Sequence, residues 1–136
     1  MAAVDTGLTP VRGAPASGEK LKVYQRRIDF SVHNLDAADW FEVFSLEAGD
    51  VVIGGCVVIV TAGTASSTFT MGTTSSEQLL GSSALDAAAK TVYPFDMTSP
   101  RTIGADTIDI EMEAVNAVLG VIEITALVLK AGDTAG

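Results

Sequence analysis

From residue 21 onward, apolar and polar residues alternate in short runs separated by turn-forming residues. In LKVYQRRIDFSVH (21–33), Ile28, Phe30 and Val32 fall on one face and Arg27, Asp29 and Ser31 on the other. That period of two predicts a half-buried strand. NLDAAD (34–39) predicts a turn, WFEVFSL (40–46) a second strand and EAGD (47–50) a tight turn. The apolar run that follows, closing at Thr61, predicts a strand buried on both faces, and Gly54 and Gly55 within it predict a bulge or a close backbone approach. AGTASS (62–67) predicts a hairpin loop and TFTMGT (68–73) its returning strand.

The pattern weakens over 74–91. Residues 83–90 contain the one segment with helical character, with Ser82 or Ser83 placed as an N-cap, and an irregular crossover fits the same residues. VYPFDM (92–97) predicts a short edge strand, because Pro94 has no N–H to give to a ladder. TSPRTIGAD predicts a loop, and two strands at 107–113 and 121–130 close the chain. Seven or eight short strands, with turn signals every 8–12 residues, predict an all-β antiparallel sandwich or barrel.

At 136 residues the chain suits one domain that buries a core without disulfides. Its bulky apolar residues are mostly Val and Ile, which agrees with strands. Residues 1–20 are rich in Gly, Ala, Pro and Ser and predict a flexible arm; 21–132 form the sandwich domain and 133–136 a short tail. The opening lacks the continuous apolar segment of a secretory signal, and the longest apolar run, VVIGGCVVIV, has half the ~20 residues of a membrane-spanning helix. A soluble protein without a membrane partner is expected. Cys56, the single cysteine, predicts a small buried hydrophobe.

The net charge of −9 argues against nucleic acid as a partner, but it is unevenly spread. Residues 1–27 hold five basic residues, Arg12, Lys20, Lys22, Arg26 and Arg27, and two acids, a net of +3. Residues 28–136 hold three basic residues and fifteen acids, a net of −12. A basic arm on an acidic body points to contact with another acidic surface, including a second copy; a solvated tail that only aids solubility fits the charges equally well.

Candidate chemistry is sparse. DTIDIEME (106–113) concentrates Asp106, Asp109, Glu111 and Glu113, the last three alternating with Ile108, Ile110 and Met112. In a strand the apolar set packs inward and the acids face outward, ~7 Å apart on one side and nearly parallel. A calcium ion needs oxygens converging at ~2.4 Å, which a straight strand does not supply. No metal site, catalytic residue or cofactor is therefore expected. His33 is the only histidine, too few for a usual zinc site, and no G-x-S-x-G elbow accompanies it, so a surface position is expected. GAPASGEK (13–20) spaces two glycines like a P-loop but places Glu19 where the lysine belongs. Trp40 and Phe41 are adjacent, so a strand sends them to opposite faces and leaves one for a sugar or a neighbouring subunit, or for cover by the N-terminal arm or another loop, which fits at least as well.

The run RRIDFSVHNLDAADWFEVFSLEAGDVVIGGCVVIVTAGTASSTFTMGT, an irregular middle, and DTIDIEMEAVNAVLGVIEITALVLKAG together resemble the capsid decoration, or cement, proteins of tailed bacteriophages. The resemblance rests on strand order, turn chemistry and composition over residues 21–132. It implies a jelly-roll-like sandwich, often trimeric, made in the host cytoplasm, that binds the major capsid protein on the outside of the head and reinforces the expanded shell. On that basis Arg12, Lys20, Lys22, Arg26, Arg27 and Trp40 are the expected interface residues. A tail or head-fibre β-module, and a carbohydrate-binding sandwich using Trp40 or Tyr93, are the other readings.

Overall fold

The computed structural model describes residues 21–73, 78–97, 101–103 and 106–130. The arm (1–20) and the tail (133–136) lie outside the described residues. Within them the chain forms β1 (Leu21–Asp29), β2 (Trp40–Leu46), β3 (Asp50–Thr61), β4 (Thr68–Thr73), β5 (Gln78–Ala84), β6 (Val92–Pro94), β7 (Arg101–Ile103), β8 (Asp106–Met112) and β9 (Val121–Leu129). One sheet has the order β1-β9-β3-β6, with β7 also on β3; the other has the order β2-β8-β4-β5. All pairings are antiparallel. The chain is thus a ribbon folded back on itself at β4–β5, pairing β3 with β6 and β7, β2 with β8, and β1 with β9. Rolling this ribbon so that β9 meets β3 and β8 meets β4 gives a β-sandwich of jelly-roll form.

The core lies between the sheets. Ile122, Ile124, Ala126 and Val128 on β9 face Ile108, Ile110 and Met112 on β8, all fully buried. Period-two alternation is what places them there: on each strand every second side chain reaches the same interior. Phe30, Phe69 and Leu85 fill the ends, and Phe69 meets Tyr93 edge-to-face at 6.0 Å.

Several expectations change. β1 stops at Asp29 and Val32 is 68% exposed, although Phe30 is buried as expected. The Asp29 carboxylate accepts hydrogen bonds from the Ser31 amide (2.9 Å) and hydroxyl (2.6 Å), while its carbonyl accepts from the amides of Val32 and His33. This Asx-type turn competes with the ladder and ends it. Residues 62–67 form no hairpin: β3 and β4 belong to different sheets, so the loop carries the chain across the sandwich. The segment read as a helix or crossover begins as strand β5, paired with β4, and continues through turns from residue 85. β7 lies inside the segment expected to be a loop. β3 is buried on its inner face and only half-buried on its outer face.

The glycine expectation holds. The register of β3 shifts between Val52 and Gly54. A Cβ on Gly55, whose φ is +155°, would lie 2.4 Å from the Thr125 carbonyl oxygen and 2.5 Å from the Phe95 ring. No side chain fits there, so β9 and Phe95 close directly over the backbone.

Candidate interaction surface

The two sheets present opposite chemistry outward. On the β1-β9-β3-β6 sheet, the registers align Leu21, Leu129 and Val51 in one row, and Val23, Leu127 and Gly54 in the next. At the far end Arg27, Glu123, Val58 and Val92 lie side by side. Arg27 and Glu123 pair at 3.6 Å, so the charges on these rows neutralise each other and leave an apolar face. Leu21, Val23 and Leu129, neighbours at one end, are 43%, 59% and 41% exposed, and Val92 is 53% exposed at the other, beyond a row in which Gln25 hydrogen-bonds Thr125. Sequence reading missed this face because it took the apolar character of β3 for burial on both sides.

The outer face of the β2-β8-β4-β5 sheet is polar and acidic. Trp40, Glu111 and Thr70 form one row, and Glu42, Asp109 and Gly72 another. Glu111 and Glu113 are exposed as expected, and the Glu113 carboxylate accepts a 2.6 Å hydrogen bond from Ser82. That bond, with help from the Thr68 hydroxyl, holds the Glu113 carboxyl below its ordinary range. Asp109 departs from the expected solvated row: it is 6% exposed, and Thr107 donates a 2.6 Å hydrogen bond to its carboxylate. Its outward position is as expected; its burial is not. Lying between Glu42 and the side-chain-free Gly72, the carboxylate folds back onto its own strand. Burial raises its pKa, the Thr107 bond opposes this, and the charges of Glu42, Asp106 and Glu111 add to the rise. Among the described residues, no group of three or more His, Cys, Asp or Glu side chains is placed to hold a metal ion.

At one end of the sandwich the loops are joined to one another by hydrogen bonds. The Phe30 amide donates to Gly120, Leu35 and Ala117 exchange backbone hydrogen bonds, and the Thr64 hydroxyl accepts from the amides of Val118 and Leu119. A Cβ on Gly120, at φ +110°, would lie 2.5 Å from the Gly63 Cα, so the loops touch backbone to backbone. Val32, Val118 and Leu119 are carried exposed on this framework.

Of the expected interface residues, Arg12 and Lys20 lie outside the described residues. Lys22, Arg26 and Arg27 are exposed on β1, and Trp40 is 52% exposed on β2 while Phe41 is half-buried. β1 overhangs the sandwich: of its inner-side residues Ile28 is buried, Tyr24 packs edge-to-face on Phe44, and Lys22 and Arg26 reach solvent. Between β1 and β2 lies a shallow pocket lined by Arg26, Arg27, Ile28, His33, Phe41, Glu42 and Val43. His33 is at the surface, as expected.

The fold recurs in chains of phage capsids. A chain of the cyanophage Pam1 capsid asymmetric unit superposes with a TM-score of 0.61 at 21% identity, covering 82% of this chain and 85% of that one. A chain of the acidic stable capsid of Helicobacter pylori bacteriophage KHP30 gives a TM-score of 0.59 at 11% identity, covering 79% and 86%. The likeness is one of fold. The near-equal coverages mean that both matched chains are about as long as this one. No family profile and no curated protein sequence matches the chain.

Proposed function

We propose that the chain is a structural protein of a bacteriophage virion that binds the outside of the head and stabilises the expanded shell. The observation that carries this reading is the shared jelly-roll fold with chains of similar length in two phage capsids. A chain of this size suits an accessory component that binds by surface alone. The contrast between its faces supports the same reading: the apolar outer face of the β1-β9-β3-β6 sheet suits a protein partner, and the acidic face opposite suits solvent. Lys22, Arg26 and Arg27, with Arg12 and Lys20 on the preceding segment, supply the basic contacts, and three copies associate on or before reaching the shell.

Fractionating purified virions into heads and tails and locating the chain by mass spectrometry tests the reading. Its presence in heads is expected; its confinement to tails would select a tail module instead. The native mass from light scattering tests the trimer, which predicts three times the 14.0 kDa chain mass.

A further inference from the structure

Among the described residues the sandwich has four strand edges, and three of them are broken, short or proline-bearing. β2 has a register break between Glu42 and Phe44. β5 has two breaks against β4. The edge opposite β1 is made of β6 and β7, three residues each, and β6 ends in Pro94. Bulges, short strands, proline and inner-side charges are the usual protections of an edge against strand addition. β1 lacks the first three and carries only the last, Lys22 and Arg26, which deter any strand that does not bring matching acids. It runs nine residues, Leu21–Asp29, in unbroken register with β9, contains no proline, and has most of its side chains exposed on both faces.

Its side chains specify what can pair with it. Lys22 and Arg26 have no carboxylate partner among the described residues, and Arg26 makes only a 3.3 Å hydrogen bond to the Val43 carbonyl. A second copy of β1 would lay a strand of net charge +2 (Lys22, Arg26 and Arg27 against Asp29) beside an identical one, which is unfavourable between adjacent strands. Two flanking segments are poor occupants: residues 1–20 include Pro10, Pro15 and three glycines with balanced charge, and residues 131–136 read AGDTAG, with no bulky apolar residue. Leu21 and Val23 on one face, and the basic residues with the adjoining pocket on the other, call for a strand that is apolar on one side and acidic on the other.

We propose that β1 is a strand-accepting edge: an extended segment of a partner protein, alternating apolar and acidic residues, adds to β1 with its carboxylates on Lys22 and Arg26 and one side chain in the pocket of Arg26, His33 and Phe41. The identity of that partner as the capsid shell subunit rests on the function proposed above. Main-chain hydrogen bonds supply affinity and the alternating side chains supply selectivity, as in other cases of β-augmentation.

The test uses full-length protein and purified heads that lack it, with co-sedimentation and amide hydrogen exchange read on the same samples. The expected result is co-sedimentation, with exchange at 21–29 slowed at least tenfold on the particle while the edges of β2 and β6 keep their free rates. K22E/R26E and Val23→Asp, each checked for an unchanged melting temperature, are expected to lower occupancy at least tenfold. Co-sedimentation with β1 amides exchanging as in the free protein would overturn the proposal and leave the virion reading standing. No co-sedimentation of wild-type protein would overturn both. If either variant fails to fold, the exchange measurement on wild-type protein still decides.

Discussion

Lys130 places its ammonium 2.6 Å from the carboxylate of Asp50, joining the end of β9 to the start of β3. Asp50 is fully buried, and the Lys130 side chain is only 17% exposed. The Asp50 carboxylate also accepts the Glu47 amide at 2.9 Å, which shapes the turn before β3. The same ammonium hydrogen-bonds Tyr24 on β1 at 3.1 Å. One cation therefore ties together the three longest strands of the sheet.

Removing that cation from a buried carboxylate is costly. Lys130→Met keeps the aliphatic packing and loses the charge, and is expected to destabilise the fold by about 3 kcal/mol in urea unfolding. The hydrogen bond to Asp50, opposed by desolvation and aided by Tyr24, raises the lysine pKa above its ordinary value. The stabilisation is therefore complete below the unfolded lysine pKa and fades only as pH climbs through the higher folded one. The gap in stability between wild type and variant is therefore expected to stay constant from pH 7 to about 10, and a gap that shrinks within that window would contradict this assignment.

Asp109 works in the opposite direction. Burial raises its pKa, so the ionised form is disfavoured in the folded state. Its cost to stability is absent below the unfolded value near 3.8, grows as pH rises, and is full above the raised folded pKa. Asp109→Asn keeps an acceptor for Thr107 and removes the charge. It is expected to gain up to about 1 kcal/mol at pH 7, with the gain vanishing near pH 3. A variant less stable than wild type at pH 7 would mean that the charged hydrogen bond outweighs burial.

Asp109 also shows where sequence reading reached its limit. The alternation of Ile108, Ile110 and Met112 with acids placed each side chain on the correct face, because that depends only on the strand's period. Burial on the outer face depends on what stands beside it across the ladder, here Gly72 and Glu42, and neither is local in sequence. The same distinction explains the strands themselves. β2 and β4 match their apolar patterns end to end, yet the partner of β4 was misassigned, since a six-residue loop permits a hairpin or a sheet crossing equally well. β7 was invisible because three residues are too few to show a period. The basic residues of β1 were readable as a contact surface, whereas the apolar outer face beside them looked like core.

Gly55 was legible as a special position, and its geometry gives the reason a measurable size. Gly55→Ala drives a methyl into the Thr125 carbonyl, which belongs to a paired strand and cannot move aside. A cost of about 2 kcal/mol is expected, or a drop in Tm of roughly 6–10 °C by calorimetry. Gly81, where an added Cβ would meet nothing within 4 Å, is the control, and Gly81→Ala should leave Tm nearly unchanged.

Cys56 reports on which face is covered in an assembly. It was expected to be buried, but it sits half-buried on the outer face of the β1-β9-β3-β6 sheet, in register with Thr125 and Pro94. A thiol there is accessible to a small reagent without unfolding, unlike one in the core. Free protein is expected to react with a chromogenic disulfide reagent in native buffer at a rate unchanged by low, sub-denaturing urea, because no opening step is required. On the particle, a partner seated across the apolar face slows that reaction at least tenfold. A partner confined to the acidic face leaves it unchanged, and that result would exclude the apolar face as the contact.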